Sequence, residues 1–147
     1  MKKIYIICPV REATPEKRAA LEAYTDMLED AGHLVHLPHR DTDQEAPGFE
    51  ICMANGAAIQ MSDEIHVFWD EESRGSLFDL GMAFMLDMLV GHKKRICLME
   101  MGQFGHFMLS KGKSFRRMLV EWVGEQDKSG LYDVSLDSLI GEYYRKP

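Results

Sequence analysis

Four apolar runs set the frame of this chain: KIYIICPV (residues 3–10), HLVHL (33–37), EIHVFW (64–69) and RICLMEM (95–101). Each is short and mainly apolar, and the first is rich in β-branched and aromatic residues and stopped by Pro9, so each reads as a strand. The segments between them carry helical spacing. Strands alternating with helices imply a parallel sheet joined by right-handed crossovers and covered on both faces. The runs are almost continuously apolar, as parallel strands buried on both sides must be. The first hundred residues therefore read β-α-β-α-β-α-β, an α/β chain of flavodoxin-like or Rossmann-like type.

Local signals place the helices. Thr14 is the expected N-cap of the first, with Pro15 at its first position and Gly32 as its end. Ala19, Ala20, Ala23, Tyr24, Met27 and Leu28 follow at helical spacing along it. HRDTDQEAPG (39–48) has no periodicity and reads as a polar loop. A second helix is expected from about Phe49 to Met61, with Ile51, Cys52, Ala54, Ala58 and Ile59 on its buried side. SLFDLGMAFMLDMLV (76–90) is the third. Beyond Met101 the pattern weakens: KSFRRMLVEWVGE reads as a helix, and GLYDVSLDSLIGEYYRKP as an edge strand with a last helical turn. No repeat, linker or low-complexity stretch interrupts the chain, so residues 1–147 read as a single domain.

The chain is long enough to bury a real core. Its net charge of −7 argues against a nucleic-acid polymer as partner, because neutralising phosphates needs a basic face. A small anion held by one or two arginines stays open. Cys8, Cys52 and Cys97 have no metal-type spacing and lie in apolar settings, which suits reduced thiols in a cytoplasmic protein. MKKIYIICPV starts as a signal peptide does, but its apolar part is only about six residues, short of a signal core. No window approaches the roughly 20 apolar residues of a membrane span.

In an open parallel sheet, ligands bind beyond the carboxyl ends of the strands. That rule selects Cys8-Pro9-Val10-Arg11, His39-Arg40-Asp41, and the stretch from Asp70 to Ser76. The third helix begins at the same edge, and its unpaired N–H groups favour anions or hydroxyl-rich ligands. With Ser76 as N-cap, Asp79 stands one turn inside. Two readings are then open. Ser76 and Asp79 form a variant capping box, whose cap is worth about 1 kcal/mol. Alternatively, Asp79 faces the crevice beside Asp70, and two carboxylates in one cleft divide the roles of nucleophile and proton donor. Such a pair suits cleavage at a sugar's anomeric carbon.

WDEESRGSLFDLGMAF joins a strand-ending Asp, a short loop, Gly-Ser, an acid after two further residues, and x-Gly-x-Ala. It resembles the nucleoside 2-deoxyribosyltransferase family and its nucleotide N-glycosidase relatives. KIYIICPVR is similar to that family's first strand, and ANGAAIQMSDEIHVFW to its second helix and third strand. The likeness covers roughly residues 2–100 and is most specific from Asp63 to Ala83. It implies cleavage or transfer at the N-glycosidic bond of a nucleoside or nucleoside 5′-monophosphate. By position, Asp79 would be the nucleophile and Asp70 the assisting acid. Gly75 and Ser76 would lie against the sugar, and Cys8, Pro9 and Arg11 would form the first loop of the substrate site, with Arg11 on a 5′-phosphate. The family's nucleophile is a Glu, so Asp79 is shorter by one methylene. The family's first loop also has a small residue where Cys8 stands, and glycines that are missing here. No metal or other cofactor is expected.

The third helix is apolar nearly all round, so it is either deeply buried or shared between subunits. A homodimer through it is the favoured expectation, which agrees with the resembled family's habit. His33, His36 and His39 fall on a short strand, where residues three apart point to opposite faces, so they are not read as a metal site. His39 and Arg40 read as solvent-exposed loop residues. Lys111, Lys113, Arg116 and Arg117 read as a solvated helix face. Gly102–Gly105 would suit a flap, and Tyr143 and Tyr144 a base-stacking pair. Three functions fit: the glycosidic-bond enzyme, a nucleotide-binding sensor without turnover, and an interaction domain in which Asp79 only caps a helix.

Overall fold

The computed structural model of the chain describes residues 1–91, 94–99 and 114–128. The four apolar runs become β1 (Lys3–Ile7), β2 (Leu34–His36), β3 (Glu64–Val67) and β4 (Arg95–Leu98), with the helices α1 (Pro15–Asp30), α2 (Pro38–Asp41), α3 (Gly48–Met61), α4 (Arg74–Val90) and α5 (Phe115–Lys128) around them in chain order. The strands form one parallel sheet in the order β2-β1-β3-β4. This is the flavodoxin-like arrangement, in which the chain reverses direction across the sheet between β1 and β3. Tyr5 lies level with His36 of β2 and Ile65 of β3, and Ile6 level with His66. The chain divides into two compact units, Met1–Cys97 and Leu98–Pro147. In the second unit, α5 is amphipathic: Leu119, Val120, Trp122 and Val123 are buried, and Arg117 Nε meets Glu121 Oε1 at 2.7 Å.

Side chains alternate across β1. Ile6 and Cys8 pack with Leu21 of α1 and with Leu37, joined by Tyr24, Val35 and Phe68. Tyr5 points the other way, to α4, where its hydroxyl meets Asp79. So α1 covers one face of the sheet, and α3 and α4 the other. Gly56 lets α3 lie close to α4: a Cβ there would stand 3.3 Å from Met82 Sδ.

The first helix starts and stops as its signals direct. Thr14 Oγ1 accepts from Lys17 N at 3.2 Å, and Gly32 takes the left-handed turn with φ 85°. Its packing face is narrower than the set of residues at helical spacing, with Tyr24 of that set packed against the core. Leu21 and Thr25 are buried, whereas Ala19, Ala20, Ala23 and Met27 are exposed. Alanine is the best helix former at surface positions, so its recurrence reports propensity as much as packing. In α3, Ala54 is exposed and the buried position beside it is Asn55. The supposed loop at 39–48 holds α2, opened by Pro38 and pinned by Asp41 Oδ2, which accepts from Leu37 N at 2.7 Å. The expected strand and turn at 130–147, the flap at Gly102–Gly105, Tyr143, Tyr144, Lys111 and Lys113 lie outside the described residues.

The third helix begins three residues earlier than expected. Ser73 is the N-cap, accepting from Ser76 N at 3.3 Å, and Ser76 Oγ donates to Ser73 Oγ at 3.0 Å. Arg74 and Gly75 are therefore helical. The capping-box reading of Asp79 is thereby corrected. Asp79 lies five residues beyond the first helical residue, too far in to cap anything.

Candidate active site

Between the carboxyl ends of β1 and β3 lies a cleft of about 320 Å³. The reversal of strand order leaves exactly this gap uncovered, because the crossovers leave it in opposite directions. Cys8 and Arg11 reach it from β1, Ser73, Arg74 and Gly75 from the start of α4, and Cys52 and Asn55 from α3. Asp79 lies in its wall, 6% exposed.

Asp79 is held from two sides. Tyr5 Oη donates to its Oδ2 at 2.7 Å. Asn55 Nδ2 lies 3.3 Å from Oδ2 and 3.4 Å from Oδ1. Among the described residues it has no cationic partner. Burial pushes its carboxyl above the ordinary value, and the Tyr5 and Asn55 hydrogen bonds pull against that. Burial and then the Asp79 charge hold the Tyr5 phenol well above its ordinary value, so Tyr5 stays a donor. The same two causes push the Cys8 thiol up to about 12, which leaves it a neutral wall group rather than a nucleophile.

The carboxamide of Asn55 is fixed in turn. Thr42 Oγ1 donates to Asn55 Oδ1 at 2.8 Å, so the amide must present Nδ2 to Asp79. Thr42 has a single hydroxyl proton, and that bond uses it. His36 Nε2, 2.9 Å from Thr42 Oγ1, is therefore the donor in its own bond. Burial lowers the His36 pKa, which agrees with a neutral ring protonated at Nε2. The His36 ring stacks on Tyr5, with centroids 5.2 Å apart and planes at 12°. Tyr5, His36, Thr42, Asn55 and Asp79 thus close a ring of contacts. Thr42→Val, which removes the hydroxyl and keeps the shape, leaves His36 Nε2 and Asn55 Oδ1 unpaired. A loss of about 1–3 kcal/mol is expected, read as a lower urea midpoint at unchanged slope.

The residues expected at the site divide into three groups. Asp79, Cys8, Arg11 and Gly75 line the cleft. A Cβ on Gly75 would meet nothing within 4 Å, so nothing in the chain itself requires glycine there. Pro9 and Ser76 are buried beside the cleft without lining it. Asp70 is not a lining residue either. It shapes the loop, with Oδ1 accepting from Glu72 N at 3.1 Å, and its Oδ2 pairs with Lys17 Nζ at 3.2 Å. Sequence reasoning missed Tyr5, Thr42 and Asn55. A lone amide inside the apolar run ICMANGAAI was the only local sign of the last.

The three histidines go separate ways: His33 Nδ1 accepts from Lys2 N, His36 meets Thr42, and His39 Nε2 meets Glu22 Oε1 at 3.0 Å. The His39 side chain is 9% exposed, so it is not the solvent-exposed residue expected; Arg40 is exposed as expected, and it pairs with Glu29 and Asp41. The face of α4 away from the sheet carries Phe78, Met85, Met88 and Leu89, each more than half exposed. Deep burial of this helix within one chain is therefore not what surrounds it. No helix of the described residues is long and apolar enough to cross a membrane. No family model matches the chain, and no curated protein matches its sequence.

Proposed function

We propose that this cleft cleaves or transfers at the N-glycosidic bond of a nucleoside or nucleoside 5′-monophosphate, with Asp79 as nucleophile. The observation that carries the reading is a buried carboxylate with no counter-cation among the described residues, facing a cleft of small-molecule size at the strand-order reversal. Asp79 Oδ1 is the reacting oxygen, because Oδ2 is taken by Tyr5 and Oδ1 carries only the long Asn55 contact. It attacks the anomeric carbon, and the bond to the base breaks with its electron pair leaving on the base. Water supplies the proton to the departing base in this reading; Asp70, the assisting acid that the resemblance implies, is paired with Lys17 and is not among the residues that line the cleft. Water or a second base then attacks the same carbon and frees the carboxylate. Arg11 and Arg74, exposed at the cleft, are the cations available to a 5′-phosphate.

The test is a panel of nucleosides and 5′-nucleotides incubated with the protein, read as free base by chromatography, with Asp79→Asn beside it. Release by the wild type alone supports the enzyme. Binding without release supports the sensor reading, and neither supports the interaction domain.

The exposed stripe on α4 favours a homodimer, working in the cytoplasm. Phe78, Met85 and Leu89 recur on one face, and such a patch is a usual interface. Sedimentation equilibrium is expected to give a dimer that Leu89→Glu splits; a wild-type monomer at micromolar concentration rules it out.

A further inference from the structure

We propose that Glu64, His66 and Cys97 form a metal site for a borderline-soft divalent cation such as Zn²⁺, tying β4 to β3. Their ligand atoms lie within 4.8 Å of one another. The site is on the α1 face of the sheet, since His66 is level with Ile6, and so it is separate from Asp79, which faces the other side. A carboxylate, an imidazole and a thiolate are a donor set that suits zinc, with water completing the tetrahedron.

The surroundings are arranged as metal ligands need. Tyr24 Oη meets His66 Nδ1 at 2.8 Å, which turns the other ring nitrogen, Nε2, toward Glu64 Oε2 at 3.2 Å. A metal-bound histidine almost always has such a partner on its far nitrogen. The Tyr24 hydroxyl both donates and accepts, so it serves the tautomer with the proton on Nδ1 that leaves Nε2 free for the ion. Glu64 is divided in the same way. Lys2 Nζ and Arg95 Nη1, the latter at 3.5 Å, sit on Oε1, while Oε2 faces His66. The two cations hold one oxygen and leave the other to the ion. Cys97 is a free thiol. Coordination replaces the Cys97 S–H bond with a metal–sulfur bond and releases that proton to solvent; the ion keeps its oxidation state.

The full chain, stripped with chelator and dialysed, is titrated first with Co²⁺ and then with Zn²⁺. One Co²⁺ per chain is expected, with a thiolate-to-cobalt band in the near ultraviolet that Zn²⁺ abolishes. Zn²⁺ should also raise the unfolding temperature. Cys97→Ser loses the band, and Cys52→Ser keeps it. Tyr24→Phe keeps the band and binds about tenfold more weakly, because Tyr24 positions the ring and does not touch the ion. Failure of the folded wild type to bind Co²⁺ stoichiometrically overturns the site, whatever the variants do. A band that survives in Cys97→Ser overturns it as well.

Discussion

Asp79→Asn is expected to release no measurable base from any nucleoside that the wild type cleaves. Removing a nucleophile costs on the order of 10³-fold or more when its neighbours have no substitute to offer. Here they have none: Cys8 is held neutral and Asp70 is paired with Lys17. The same variant should be no less stable than the wild type at neutral pH. Burial raises the folded pKa of Asp79 above its unfolded value. Folding thus disfavours the charged form relative to the unfolded chain, and wild-type stability declines as pH rises from the unfolded pKa through the folded one. Asparagine carries no such penalty. The stability difference between the two proteins, measured by urea unfolding, should therefore close as pH falls below about 4. Loss of activity with a large loss of neutral-pH stability would instead mark Asp79 as a packing residue.

Tyr5→Phe is expected to have the second largest effect. It deletes the short bond to Asp79 Oδ2 and leaves the ring stacked on His36. A hydrogen bond to a charged group contributes about 1.5–3 kcal/mol. That amount should be missing at neutral pH and partly regained in acid, where the carboxyl is protonated. The activity profile gives a second readout. Activity needs the carboxylate, so it falls as pH drops through the Asp79 pKa. Without Tyr5 that pKa rises further, and the acidic limb of kcat/KM moves toward neutrality. An unmoved limb with unchanged stability would show that the two groups do not cooperate.

The frame of this site was legible because it is written locally. Strand runs, the Thr14 cap and the Gly32 stop act within a few residues, and parallel order then fixes where a crevice must open. The partners of Asp79 were not legible, because they depend on register. Tyr5 meets it only because alternation along β1 turns that ring toward α4 and not toward α1. Asn55 meets it because α3 packs against α4, a pairing of helices that local signals do not announce. The partner of Asp70 was not legible for the same reason: Lys17, fifty-three residues away in sequence, pairs with its carboxylate.

The ring of contacts behind Asp79 runs through His36, and His36 belongs to β2, a three-residue strand at the edge of the described sheet. Edge segments with few ladder bonds open at a fraction of the global unfolding free energy. Each opening of β2 would release Thr42 and then the Asn55 amide while the rest of the sheet stayed paired. Heat should therefore silence the protein before it melts it. Activity measured at the raised temperature would report the fraying of β2, and full recovery on cooling would distinguish that fraying from damage to the core.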